Sequence, residues 1–233
     1  RRAVARGDVD AFVWLEPMVQ RGLDVMRGRA AASPDRVAFT FLSDGELQTR
    51  QATYGELDGK ARAIAAHLQR LSEPGSRALL MYDAGLEYLA ALAGCLYAGM
   101  VAVPAYPPDP MRATRTLPRL EGIVRDAQAT LLLGTSSDLA WAGAMLENLP
   151  CLEALVATDE IELSLAERWT APRIDRDTLA FLQLPKNSAT VQSISSGGQQ
   201  NVNIRIGGPS PFPSRDGWTV LPDGSIAVAR VKD

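Results

Sequence analysis

The sequence predicts an α/β fold: an N-terminal hairpin, a mostly parallel sheet with helices on both faces, and a short β-only tail. Three observations predict it. Short, largely apolar runs recur at Arg77–Tyr82, Met100–Val103, Thr130–Leu133, Leu152–Ala157 and Thr178–Leu182, the texture of strands buried on both faces. Segments with helical spacing of apolar residues separate nearly all of them, as crossover connections require. After Gln183 the alternation stops, and residues rich in Ser, Asn, Gln, Gly and Pro begin.

Each element has a local warrant. Ala11–Val19 reads as a short helix interrupted by Pro17, and Leu23–Ala32 as a helix that Ser33-Pro34-Asp35 ends. Arg36–Leu42 alternates as a strand, Ser43-Asp44-Gly45 is a turn signal, and Leu47–Ala52 is the returning strand. Thr53 is an N-cap with Glu56 three residues on, a capping box, and the helix after it sets Leu57, Ala61, Ile64, Ala65 and Leu68 on one face. Glu73-Pro74-Gly75 closes that helix. Leu86–Ala98 is a helix apolar on nearly every side, whose small residues Ala93, Gly94 and Ala98 permit close approach and whose C-cap is Gly99. The strand Met100–Val103 is expected to stop at Pro104, because proline removes a ladder donor. A helix over Leu117–Ala127 follows, and Ser137 is expected to cap another that runs through Leu149. In the tail, Val202–Ile206 alternates as a strand, and Trp218–Val231 reads as a hairpin turning at Pro222-Asp223-Gly224.

Composition narrows the function classes. With 46% hydrophobic and 22% charged residues the chain is that of a soluble globular protein, and a net charge of −3 favours neither nucleic acid nor an anionic membrane. No apolar run reaches the roughly 18 residues of a membrane helix. The cysteines, Cys95 and Cys151, form no metal or redox spacing, and Cys95 reads as a buried free thiol. A reducing, cytoplasmic location is expected. The chain begins Arg1-Arg2 without methionine or a secretory apolar core, which reads as a processed or incomplete start.

Four stretches carry a family likeness: Ser33-Pro-Asp-Arg-Val-Ala-Phe39, Ala52-Thr-Tyr-Gly-Glu-Leu57, the run from Gly94 to Pro108, and Arg119–Leu133 with its Ile123-Val-Arg-Asp-Ala-Gln128 core. They resemble the fatty-acyl-AMP ligases, a branch of the adenylate-forming enzymes, over roughly Leu23–Gln183. The resemblance implies the front part of such an enzyme's large domain. It also implies the family reaction, in which ATP and Mg²⁺ activate a fatty acid to an acyl-adenylate that passes to an acyl carrier protein. The organisation it suggests is an extension over 1–22, an incomplete ligase-like region over 23–183, and an unrelated tail over 184–233.

In that family the strand resembling Leu179–Gln183 leads into a glycine- and hydroxyl-rich phosphate loop, Y-T-S-G-S-T-G-x-P-K-G. Here it leads into Leu184-Pro-Lys-Asn-Ser-Ala-Thr190. Phosphates need backbone amides and hydroxyls converging on them, with a cation beside them. Ser195-Ser-Gly-Gly198 has no helix behind it to present its amides. The only lysines are Lys60, Lys186 and Lys232, and the family's C-terminal domain with its catalytic lysine has no counterpart. A truncated or chimeric ligase that does not adenylate on its own is therefore expected, with no residue assigned a catalytic, cofactor-binding or metal role and no bound cofactor. The alternative is a non-catalytic module that docks a carrier protein or partner subunit. The tail faintly resembles β-propeller blade hairpins; its ordered alternation around a proper turn slightly favours a gene fusion, while its Gly, Pro and Ser richness also suits an out-of-frame translation. A sheet cut after Leu182 is expected to leave the edge beside Leu179–Leu182 exposed, a pairing hazard.

The remaining candidates have plainer readings. His67 lies off the apolar face of its helix and reads as solvent-facing, and one histidine is no metal signal. Arg112, Arg115, Arg119 and Arg125 could face an acidic carrier protein, but Glu121 and Asp126 beside them suit an ordinary solvated face. Glu160 and Glu162 read as a polar connection. Tyr97, Tyr106 and Trp141 could line an acyl tunnel, although aromatics in such a layer are more often core.

Overall fold

The computed structural model describes residues 12–14, 17–42, 49–108, 113–140, 149–173, 178–182, 218–220 and 226–229. The expected strand Val202–Ile206, the turns at Ser43–Gly45 and Pro222–Gly224, and Trp141 lie outside them. Two sheets organise the fold. The larger has six strands in the order β1-β8-β5-β4-β6-β7, from β1 (Phe12–Trp14), β4 (Arg77–Met81), β5 (Val101–Ala105), β6 (Leu131–Gly134), β7 (Ala154–Ala157) and β8 (Leu179–Leu182). All neighbours are parallel except β1 against β8.

The alternation of strand side chains divides the core in two. Ala78, Leu80, Ala102, Leu131 and Leu133 face α2 (Tyr54–Leu71) and α3 (Leu86–Ala98). Leu79, Met81, Val101, Val103 and Leu132 face α4 (Ala113–Ala127) and Leu139 of the short α5 (Ser136–Leu139). Period-two residues on both faces of one strand require helices on both sides, as the apolar runs implied. Chain direction supplies them. From β4 the chain crosses to β5, then returns past β4 to β6, and right-handed crossovers in opposite directions put α3 and α4 on opposite faces.

The α2–α3 contact is the tightest. A Cβ on Gly94 would lie 2.5 Å from Ile64 Cγ2, so only glycine permits this approach of the helices. The expected capping box at Thr53 and Glu56 is complete in both directions. At the other end of α3, Gly99 takes φ 74°, and the amides of Gly99 and Met100 close on the carbonyls of Leu96 and Cys95. The 3-10 helix Leu163–Arg168 and the residues after it lie over α2 and α3. Trp169 Nε1 donates to the Tyr97 carbonyl at 2.8 Å, and Gln69 exchanges bonds with the Thr170 backbone.

The second sheet has the order β3-β2-β10-β9. The predicted hairpin of β2 (Val37–Leu42) and β3 (Thr49–Thr53) is antiparallel, and so is the tail hairpin of β9 (Trp218–Val220) and β10 (Ile226–Ala229). The two hairpins join, with β10 parallel to β2, a pairing that no local pattern of residues signals.

Several local expectations are corrected. Phe12–Trp14 is a strand, not the start of a helix, and α1 (Pro17–Ala32) begins at Pro17, where a missing N–H costs nothing. β5 runs through Pro104 to Ala105, in register with Leu80 and Met81. Its pairing with β8 is at Ala102↔Phe181, so the β4 side alone carries the ladder past Pro104. α4 begins at Ala113 rather than Leu117 and holds Pro118 within it; burial of Leu120, Ile123, Val124 and Ala127 outweighs the lost bond. The cap of α5 is Thr135, not Ser137, with its Oγ1 accepting from the Asp138 amide at 3.2 Å. The edge beside β8 is not exposed: β1 pairs there, Phe12↔Leu182 and Val13↔Phe181.

Candidate functional site

Ligand crevices in sheets of this kind open at the carboxyl ends of strands, where neighbouring connections leave for opposite faces. Here, in the order β5-β4-β6-β7, β4 connects to one side and β6 to the other, so that point lies between β4 and β6. After β4 come Tyr82, Asp83 and α3; after β5 come Tyr106, Pro107 and Pro108; Thr135 and Ser136 follow β6, and Thr158 and Asp159 follow β7. Each stands where a short apolar run ends. That position is the sequence signal that marks this rim, and reasoning from motifs alone passed over it.

The rim is a network of hydroxyls and carboxylates bonded to one another. The Tyr82 hydroxyl and Thr158 Oγ1 are 2.8 Å apart, and Thr158 Oγ1 also reaches the Gly134 carbonyl at 3.4 Å. Asp159 accepts from the Ser136 amide at 2.8 Å and from its hydroxyl at 2.6 Å. The Thr135 hydroxyl donates to Asp138 Oδ2 at 2.7 Å. Tyr88 packs edge-on against Tyr82 at 6.4 Å. Lys60 reaches across from α2 to pair with Glu87 in the first turn of α3, and Arg50 lies 4.0 Å from the same carboxylate.

Electrostatics follows the burial. Burial raises the Tyr82 phenol well above its ordinary value, Thr158's bond opposing it, and burial likewise raises Tyr88. Desolvation pushes the Asp159 carboxyl up, but bonds from Ser136 and from its own backbone, with the Lys60 charge, outweigh it and hold it low. With Tyr82 and Tyr88 held protonated and Asp159 held charged, none of these three is a base or nucleophile poised near neutrality.

The sequence candidates fall elsewhere. Tyr97 is buried in the α2–α3 interface, donating to Asp58 Oδ1 at 2.8 Å and lying beside the Trp169 ring. It is core, not tunnel lining. Tyr106 is half-buried at the rim. His67 is half-buried rather than solvent-facing, and burial, then Arg70, lowers its pKa. Arg125 lies 3.9 Å from Glu121, the local ion pair expected of a solvated face; Arg119 is half-buried, and burial lowers its pKa. The side chains of Arg112 and Arg115 lie outside the described set. Glu160 and Glu162 are exposed in the connection after β7, Glu162 accepting from the Ser164 hydroxyl at 3.3 Å. Cys95 is fully buried, which pushes its thiol up to about 12. Among the described residues no three His, Cys, Asp or Glu side chains converge as a metal site would need, and no helix is long and apolar enough to cross a membrane.

Comparison with known proteins places this scaffold. Residues 26–192 match the model of the AMP-binding enzyme family. The chain is 43% identical over 174 residues to the medium-chain-fatty-acid–[acyl-carrier-protein] ligase JamA of Moorena producens, covering 72% of this chain and 29% of that protein. It is 32% identical over 155 residues to Disco-interacting protein 2 of Drosophila melanogaster, 66% of this chain and 8% of the other. Among solved structures, the fatty acyl-adenylate ligase of Legionella pneumophila in complex with acyl adenylate and pyrophosphate superposes with TM-score 0.59 at 32% identity, over 73% of this chain and 29% of that one. The chain thus spans less than a third of the length of these relatives. It belongs to the AMP-binding enzyme family, and within that family it resembles the fatty-acyl-AMP ligases.

Proposed function

We propose that these 233 residues carry the amino-terminal scaffold of a fatty-acid-activating ligase and do not form acyl-adenylate by themselves. The family reaction joins a fatty acid to AMP with release of pyrophosphate from ATP, and the acyl group then goes to an acyl carrier protein. The observation that carries the reading is the sequence after β8. The strand pairs in parallel with β5, and Leu184–Thr190 follows it in sequence without the glycine and hydroxyl run that cradles phosphates.

The described rim supports the same reading. Its hydroxyls are bonded to each other or to Asp138 and Asp159, and its carboxylates would repel a triphosphate. Lys60, the sole lysine among the described residues, is paired with Glu87. ATP and Mg²⁺ do not fit these groups, so no chemical step is assigned to them. Their part is to hold the carboxyl ends of β4, β6 and β7 in fixed relation, as a scaffold for groups supplied by other residues.

ATP–pyrophosphate exchange with a panel of fatty acids tests the proposal. Exchange is expected to stay at background with every acid. Exchange dependent on both acid and protein would sink it.

A further inference from the structure

One edge of the larger sheet and one edge of the β2–β3 hairpin, both within the family-matched region, are covered by segments outside it. The family model spans residues 26–192. Upstream of that span, β1 pairs antiparallel with the outer edge of β8. Downstream, β10 pairs in parallel with the edge of β2 that does not face β3, in the register Ile226↔Phe39, Ala227↔Thr40, Val228↔Phe41 and Ala229↔Leu42. Either edge, left bare, would present a row of unpaired N–H and C=O groups, a template for strand addition by another chain.

From this coincidence we infer that the C-terminal hairpin Trp218–Ala229 is an edge-capping module: it occupies the strand-addition site of β2 within the same molecule and keeps that edge from pairing with a second copy. The site on β2 is the backbone of Val37–Leu42, and it takes an extended β-strand running parallel to it. Register is specified on both sides. β3 fixes β2 through Thr40↔Gln51 and Phe41↔Arg50, and β9 fixes β10 through Ala227↔Thr219. A parallel partner cannot come from a tight hairpin with β2 itself and requires a long connection. Here β2 and β10 are separated by the whole of the larger sheet's β4 to β8, so the pair is made by segments far apart in the chain. The tail thus has a role in this fold whatever its origin, and that role is distinct from any part in acyl activation.

The test uses the full chain. Ala227→Pro combined with Val228→Pro removes donors of both parities from β10. With its edge freed the variant is expected to self-associate as concentration rises in sedimentation velocity, and in its dilute monomer hydrogen exchange is expected to quicken by about tenfold or more at those amides of Phe39–Leu42 that face away from β3, with α2 and α3 unchanged. A variant that stays monomeric at every concentration, unchanged exchange in the monomer's β2, or equal loss of protection through α2 and α3, overturns the inference. A second variant fixes the occupant. Neighbouring strands lie about 4.8 Å apart, within the roughly 4.4–6.8 Å Cα range of a disulfide. Thr40→Cys with Ala227→Cys, in a Cys151→Ser background, is therefore expected to oxidise within one molecule, whereas Thr40→Cys with Ala229→Cys does not. A disulfide between two molecules, or none at the in-register pair, overturns it.

Discussion

The Tyr97 hydroxyl donates to Asp58 Oδ1 at 2.8 Å across the α2–α3 interface, and Arg62 Nε donates to the other oxygen of the same carboxylate at 2.8 Å. This buried carboxylate is satisfied from two helices. Burial, then the Asp58 charge and bond, raise the Tyr97 phenol far above its ordinary range, so it remains a donor. Trp169, stacked 5.2 Å from Tyr97, takes the guanidinium of Arg27 over its ring at 4.8 Å. The group joins α1, α2, α3 and the segment after the 3-10 helix.

Tyr97→Phe removes one donor to a buried carboxylate and adds nothing in its place. A loss of about 1–3 kcal/mol is expected. Urea unfolding measures it, and a variant as stable as the parent would mean that Asp58 is satisfied without Tyr97.

Gly94→Ala places a methyl 2.5 Å from Ile64 Cγ2 and 2.7 Å from Ile64 Cβ. The two helices must separate, at a cost of about 1–3 kcal/mol. Because one contact is responsible, Gly94→Ala and Ile64→Ala are expected to be non-additive in a double-mutant cycle. Strict additivity would place the cost elsewhere.

Thiol labelling separates the two cysteines. Cys95 is fully buried with its thiol pushed up to about 12, whereas Cys151 is half-buried. The native protein is expected to react with a thiol reagent at Cys151 alone, and at both after denaturation. Mass spectrometry of the native adduct reads the site directly; modification at Cys95 would contradict the buried α3.

His67 gives a pH dependence with a definite sign. Burial, then Arg70, lowers its pKa in the fold, so the unfolded chain takes up the proton first. Its contribution is present above the unfolded value of about 6.5 and is lost as pH falls through the lower folded value. Stability is expected to decline from pH 7.5 to pH 5, and His67→Gln to flatten that decline. An identical slope in the variant would assign it to another group.

Much of this was legible in the residues because it is local or periodic. The box at Thr53 and Glu56, the glycine cap of α3 and the apolar face of α2 are each fixed within a few turns of chain. The rim was less legible, because Tyr82, Ser136, Thr158 and Asp159 belong to three loops that only the parallel sheet aligns. Pro104 misled for a related reason: whether a strand tolerates proline depends on which of its edges is paired.

The sequence by itself determined the two-sided helix–strand alternation and the branch of the family, since these rest on residue type, period and order along the chain. Only the tertiary structure decided that β1 closes the β8 edge and that β10 joins β2 in parallel. Strand pairing is made through backbone groups that every residue carries, so short segments hold no local record of a partner far along the chain.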